Sequence, residues 1–249
     1  MIDLRGTSVL VTGASGGVGS GVARRFAKAG AAVVAHYHRD RDAAERLVAS
    51  LGVRAVAIGA DLTAEAECAR LVDEAAGWAG RVDAVVNGAG IQPDQALEGM
   101  TAAEWRSVVD TNLTSAFACT QAAARLMARA GGGSITHIAS IQAHTPAEGH
   151  AHYSASKAAL VMHARAAALE YGRAGIRVNT VSPGLVDRPG LADDWPDGVR
   201  RWTAAVPLGR LATSADVGDA CVFLASPMAA FITGQDLCVD GGMTARPAW

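Results

Sequence analysis

Tyr153 and Lys157 stand four residues apart in the run Tyr153-Ser154-Ala155-Ser156-Lys157. On a helix that spacing puts a phenol and an ammonium on one face. Free tyrosine has a pKa near ~10 and is a poor acid-base group at neutral pH, but a nearby cation favours phenolate and lowers that value. Taken alone, the pair fits a solvated helix face better, and its context reverses that reading. Ser140 adds a hydroxyl after an apolar run. Its neighbours Ile138, Ala139, Ile141 and Gln142 include no glycine, so a hydrolase nucleophile elbow is set aside. Further upstream, Thr12-Gly13-Ala14-Ser15-Gly16-Gly17-Val18-Gly19 is a glycine-rich turn. Such a loop lets backbone approach a pyrophosphate closely and aims helix N-terminal N–H groups at its charge. A plain tight turn is the bland alternative; strand and helix flanks favour a dinucleotide.

These residues need elements to hold them. Thr7 to Val11 is a β-branched apolar run, and Val18, Val22 and Phe26 follow at helical spacing, so the chain opens as strand, turn and helix. The alternation continues with helices near 42–50 and 64–76 and strands near 53–58 and 82–86. Thr101 to Glu104 is a capping-box pattern that predicts one long helix running to Gly131. Beyond it come a strand near 134–138, a helix over 154–171, a strand near 176–181, a helix from Thr213 to Leu224 and a strand at 236–239. Strands separated by helices of this length predict an α/β fold, a doubly wound parallel sheet of about seven strands with helices on both faces. A single domain over residues 1–249 is expected, with an irregular stretch near 185–206 as a substrate lid. The unusual residues each follow a strand directly. In a parallel sheet such positions share one edge, and ligands of open α/β sheets bind there.

Composition narrows the function classes. The 249 residues carry 22 Lys plus Arg against 24 Asp plus Glu, a formal net charge of -2. That balance provides no basic field for nucleic acid or for a membrane surface, so a small-molecule ligand is expected. Cys68, Cys119, Cys221 and Cys238 show no CxxC pairing, which argues against a disulfide framework or a zinc motif. With no apolar run near the ~18 residues a membrane span requires, a cytoplasmic protein is expected.

Taken in order, these motifs resemble the short-chain dehydrogenase/reductase family and are similar to 3-oxoacyl-carrier-protein reductase-like carbonyl reductases. The resemblance rests on Thr12 to Gly19, Asp61-Leu62, Asn87-Gly88-Ala89-Gly90, Asn112, Ser140, Tyr153 to Lys157, Asn179 to Gly184 and Ile232 to Gly242, and covers nearly the whole chain. It implies a Rossmann-type sheet and an oxidoreductase that interconverts a carbonyl and a secondary alcohol. Asn112, Ser140, Tyr153 and Lys157 would be catalytic, with Tyr153 as acid/base and Asn112 fixing a water. Cofactor contacts would fall to Gly13, Ser15, Gly16, Gly17, Val18, Gly19, His38, Arg39, Asp61, Leu62, Asn87, Ala89, Gly90, Tyr153, Lys157, Pro183, Gly184 and Val186. It further implies a homotetramer, or a homodimer, that pairs the long helix and the helix after Tyr153 across subunits. Alanine-rich faces at Ala116, Ala118, Ala122 to Ala124 and Ala166 to Ala168 would permit that approach.

Ala35-His36-Tyr37-His38-Arg39 carries no carboxylate where one would bind the adenine ribose of NAD. His38 and Arg39 can neutralise a 2′-phosphate, so NADP is preferred and NAD is the second choice; Gly16 and Asp40 weigh against it. Arg188 stands where the family usually has a threonine, and either meets an anionic substrate or lies on the surface. His137, His144, His150 and His152 match no ligand spacing, and no metal is expected; His144 and His152 with Gln142 would shape the substrate pocket. Trp195 and Trp202 cover an apolar substrate or pack a subunit contact. Arg125 and Arg129 would greet an acidic carrier protein or solvate a helix face. The competing function is a non-catalytic dinucleotide sensor on the same fold, which would have no need of Tyr153. A nucleotide-sugar epimerase or dehydratase would need a larger substrate domain.

Overall fold

The computed structural model describes residues 2–245. Strands β1 (Ser8–Thr12), β2 (Ala32–Tyr37), β3 (Ala55–Gly59), β4 (Ala84–Asn87), β5 (Gly133–Ile138), β6 (Ile176–Pro183) and β7 (Asp236–Val239) form one sheet in the order β3-β2-β1-β4-β5-β6-β7. Every pairing is parallel. Order reverses between β1 and β4, where the chain crosses from one half of the sheet to the other. That switch point is where loops from the two halves part and leave a crevice. The expected doubly wound sheet is what forms.

Period-2 alternation along each strand feeds two cores. Val9, Val11, Val33 and Ala35 point to the layer of α1 (Gly17–Lys28), α2 (Arg41–Ser50) and α9 (Ser214–Ala225). Leu10, Val34, Val85, Ile135 and Val178 point the other way, to α3 (Glu65–Ala79), α5 (Ser115–Arg129) and α6 (Ala151–Tyr171). Phe26, Leu71 and Met127 are among the largest fully buried side chains of these layers. Burying one such side chain contributes roughly 1.5–3 kcal/mol.

Some local expectations are corrected. The predicted long helix is broken: α4 (Ala102–Val109) starts on the Thr101–Glu104 capping box, then a π-helical turn, Asp110–Thr114, precedes α5. The register of apolar residues hides such a turn, because one extra residue shifts the face without ending the helix. Helix α6 begins at Ala151, so Tyr153 lies inside its first turn. The stretch 185–206 is largely ordered into α7 (Leu191–Asp194) and α8 (Pro196–Ala205), the latter opened by Pro196 at its first position. Ala116, Ala118, Ala122 to Ala124, Ala167 and Ala168 are buried against the chain's own sheet, so they are not a face left free for a partner; Ala166 alone of the set is exposed.

Candidate active site

The glycine loop lies between β1 and α1. Gly13 has φ +69°, and a Cβ there would lie 2.9 Å from the Ala89 Cα; at Gly19 a Cβ would lie 2.2 Å from the Gly13 carbonyl oxygen. Neither position has room for a side chain, so loop, β4 end and α1 close on one another. Gly16, the α1 N-cap, offers no side-chain cap, and the first turn holds no acidic residue. The N–H groups and positive dipole end of α1 are thus left to an anion. Gly16 and Gly17 are exposed there, Ser15 is half-buried, and Val18 packs partly into the core. Thr12 ties the two strand ends together: its Oγ1 accepts from the backbone N–H of Gly88 at 3.0 Å and of Ala89 at 3.1 Å. A dinucleotide fits this cradle.

His36 is a support the sequence reading did not assign. Its Nδ1 accepts from the Gly13 N–H at 3.0 Å, and its Nε2 lies 3.1 Å from the Ala60 carbonyl, so a neutral ring with hydrogen on Nε2 satisfies both. Burial lowers its pKa below the ordinary 6.5, consistent with that form. Next along, His38 and Arg39 are exposed at the end of β2, and His38 Nε2 lies 3.8 Å from the Asp61 carboxylate. Asp61 accepts from the Thr63 N–H and hydroxyl, which lower its pKa, with His38 and Arg39 adding to the effect. Leu62 packs into the core beside Leu71. Asn87 also turns inward, donating to Thr120 Oγ1 at 3.2 Å and to His137 Nδ1 at 3.1 Å. Its side chain therefore faces away from the loop that the resemblance had it line.

Ser140, Tyr153 and Lys157 meet at the ends of β5 and α6. Lys157 is buried, its Nζ donates to the Ile138 carbonyl at 2.7 Å and lies 5.5 Å from the Tyr153 ring centroid. Ser140 accepts from the Gln142 N–H at 3.1 Å, and its hydroxyl is near enough to the phenol to favour the phenolate. The Gln142 side chain in turn accepts from Ser154 at 3.1 Å, which fixes the Ser140 loop to α6. The expected depression of the phenol pKa is not seen. Burial raises Tyr153 above its ordinary 10, with the Ser140 hydroxyl opposing, while burial alone lowers Lys157 to about 8. Desolvation outweighs an ammonium aimed at a carbonyl rather than at the phenol oxygen.

Asn112 sits in the π turn, fully buried. It accepts from the Ile91 N–H at 2.8 Å, donates to the Ile91 carbonyl at 2.9 Å and donates to Ser156 at 3.1 Å. A Cβ on Gly90 would come within 3.1 Å of Asn112 Oδ1 and 3.6 Å of Lys157 Nζ. The amide thus clamps the loop after β4 against the lysine; its side chain is spent on positioning. Pro183 ends β6, Gly184 follows it, and Val186 bridges to Ala212. Trp202 of α8 covers this end: a Cβ on Gly184 would lie 3.1 Å from its ring. His150 packs edge-on to Tyr153 at 6.2 Å, and its buried Nδ1 has no protein partner among the described residues. Arg188 pairs with Asp194 at 2.7 Å and Arg125 with Asp73 at 2.8 Å, so neither stands free for an anion.

A family model described as enoyl-(acyl carrier protein) reductase matches residues 13–244. The 3β-hydroxysteroid dehydrogenase 1 of Eggerthella lenta is 38% identical, covering 99% of this chain and 97% of that protein. The chain belongs to the short-chain dehydrogenase/reductase family. It is an oxidoreductase of that family, acting on CH–OH and C=O groups. Cis-4-hydroxycyclohexanecarboxylate dehydrogenase of Sinomonas cyclohexanicum is 41% identical, with 95% of this chain and 96% of that protein covered. A 3-oxoacyl-(acyl-carrier-protein) reductase of Chlamydia muridarum is 36% identical, with 95% and 96% covered. A solved 7α-hydroxysteroid dehydrogenase, complexed with NADH and 7-oxo glycochenodeoxycholic acid, superposes with a TM-score of 0.91 at 34% identity, covering 96% of this chain and 95% of that one. As a short-chain dehydrogenase/reductase, the protein binds a nicotinamide dinucleotide. Among the described residues, no helix is long and apolar enough to cross a membrane.

Proposed function

We propose that the protein reduces a small-molecule ketone to a secondary alcohol, reversibly, with NADP(H) as the preferred dinucleotide. The observation that carries this reading is a half-buried Tyr153, kept protonated at neutral pH by desolvation, with the Ser140 hydroxyl acting on its phenol and Lys157 Nζ 5.5 Å from its ring centre. A bound nicotinamide dinucleotide supplies the hydride, or accepts it in the reverse direction. As hydride reaches the carbonyl carbon, charge grows on oxygen; the Ser140 hydroxyl donates to that oxygen while Tyr153 gives its proton, so C=O becomes CH–OH. Lys157 would return a proton to the phenolate and, with Tyr153, would hold the ribose of the bound dinucleotide. The Asn112 clamp keeps Gly90 and Lys157 in register. Of the remaining contacts, Gly13 to Gly19 would hold the pyrophosphate, Asp61 and Leu62 flank the adenine, Ala89 and Gly90 follow the backbone, and Pro183, Gly184 and Val186 border the nicotinamide.

His38 and Arg39, exposed and free of any carboxylate on β2, support the NADP preference. The relatives' names point to alicyclic, steroid and acyl thioester substrates, and the Trp202 cover suits an apolar one. Apolar side chains uncovered on α5 and α6, Phe117, Met162 and Leu169, support a homotetramer paired through those helices. We place the protein in the cytoplasm on its composition. The deciding experiment is NADPH oxidation with a panel of ketones, oxoacyl thioesters and enoyl thioesters, for wild type and Arg39→Asp. Ketone-dependent turnover, with NADPH affinity lost in the variant and NADH affinity retained, is expected. Turnover on enoyl thioesters alone would replace this reading, and affinities unchanged in the variant would remove the NADP assignment.

A further inference from the structure

Strand β7 is the sheet's edge, and its alternate residues Asp236 and Cys238 pair in register with Thr180 and Ser182 on β6. Alternation puts Asp236 and Cys238 on the same face. His144, from the loop that carries Ser140, reaches across to them: its Nε2 lies 2.6 Å from Asp236 Oδ2. One nitrogen, one carboxylate oxygen and one sulfur from these side chains all lie within 4.8 Å of one another. Ligands around a tetrahedral divalent ion sit ~3.3–3.8 Å apart, given metal–ligand bonds of ~2.0–2.3 Å. The His144–Asp236 hydrogen bond, at 2.6 Å, must open by less than an ångström, and the sulfur, within 4.8 Å of the other two atoms, must close by up to about an ångström, which exposed side chains can do.

We propose that His144, Asp236 and Cys238 bind a borderline divalent cation of the zinc class, with water in the fourth position. The carboxylate is built for it. Asp236 Oδ1 accepts from the Thr180 hydroxyl at 2.6 Å and from the Ser182 hydroxyl at 2.8 Å, which leaves Oδ2 directed at His144 and the thiol. Its side chain is only 6% exposed, while His144 is 42% exposed. A carboxylate oriented through its other oxygen, beside an open imidazole and a thiol, is the outer-shell arrangement that tunes metal ligands. One nitrogen, one oxygen and one sulfur select zinc, cobalt or nickel over magnesium or calcium. A thiol binds a metal as thiolate, so capture of the cation would release the Cys238 proton. The bound ion would tie the Ser140 loop to the last strand.

The test uses the whole protein after chelation. Titration with Co2+ is expected to give one ion per chain, a thiolate-to-cobalt charge-transfer band that Zn2+ displaces, and a higher Tm with Zn2+. Cys238→Ser should abolish the band, and His144→Gln or Asp236→Asn should weaken binding at least ~10-fold. A second measurement needs no variant. Cys68, Cys119 and Cys221 are buried and Cys238 is exposed, so alkylation reports on this thiol; Zn2+ should slow it at least ~10-fold at saturation. No band at millimolar Co2+, a band undiminished in Cys238→Ser, or alkylation indifferent to Zn2+ would each overturn the site.

Discussion

The Lys157 ammonium points at the Ile138 carbonyl, 2.7 Å away, and stands 5.5 Å from the ring centre of Tyr153. Lysine is thereby locked to the sheet edge while the phenol is free to face substrate and Ser140. Replacing Tyr153 by Phe removes the proton and leaves the packing. Turnover should fall ~10²–10⁴-fold, with the dinucleotide Kd changed little. Steady-state kinetics and fluorescence titration check this; near-wild-type turnover would remove Tyr153 as the acid.

The pH profile follows from the same burial. Lys157 is lowered from 10.5 to about 8, and Tyr153 is raised above 10. The ammonium is therefore lost before the phenol ionises. Ketone reduction should hold near neutrality and decline as pH rises through about 8. Lys157→Arg retains the cation, so its alkaline limb should move upward even as turnover drops. If the limb stays where it was, another group owns it.

Acid stability should be set by buried imidazoles. His137 is lowered to about 3 by burial, with the His163 and Lys157 charges adding, and His36 is lowered in the same sense. Both favour the neutral ring when folded, so their contribution is complete above the ordinary 6.5 and is lost as pH falls from there toward about 3. The melting temperature should be flat from pH 8 to 7 and drop below 6.5. His137→Phe should melt lower at pH 7 and lose part of that acid slope; parallel slopes would contradict the assignment.

Gly19→Ala puts a Cβ 2.2 Å from the Gly13 carbonyl oxygen. Forcing the loop apart should cost about 1–3 kcal/mol of stability and weaken dinucleotide binding at least ~10-fold. Denaturant melts and NADPH titration read the two effects separately. An unweakened cofactor would mean that the loop does not hold it.

Trp202→Ala uncovers the end of β6 at Gly184. The expected outcome is a raised KM for apolar ketones with little change for small polar ones. Equal KM ratios across the panel would return Trp202 to a packing role.

Alternating runs and punctuating glycines made the parallel sheet legible in the sequence. Those signals are local, periodic and carried by residue type. The same holds for Thr12 to Gly19, the Tyr153–Lys157 spacing and the Thr101 capping box, each written in adjacent residues. Tertiary structure alone decided the rest. Asn112 lies in a π turn and gives its amide to the loop at Ile91, His36 props Gly13 from a neighbouring strand, and Asp236 meets His144 across β6. The sign of the Tyr153 shift belongs there too. Desolvation depends on everything packed around a group, and Coulomb attraction on where the charge points; neither is a property of sequence separation.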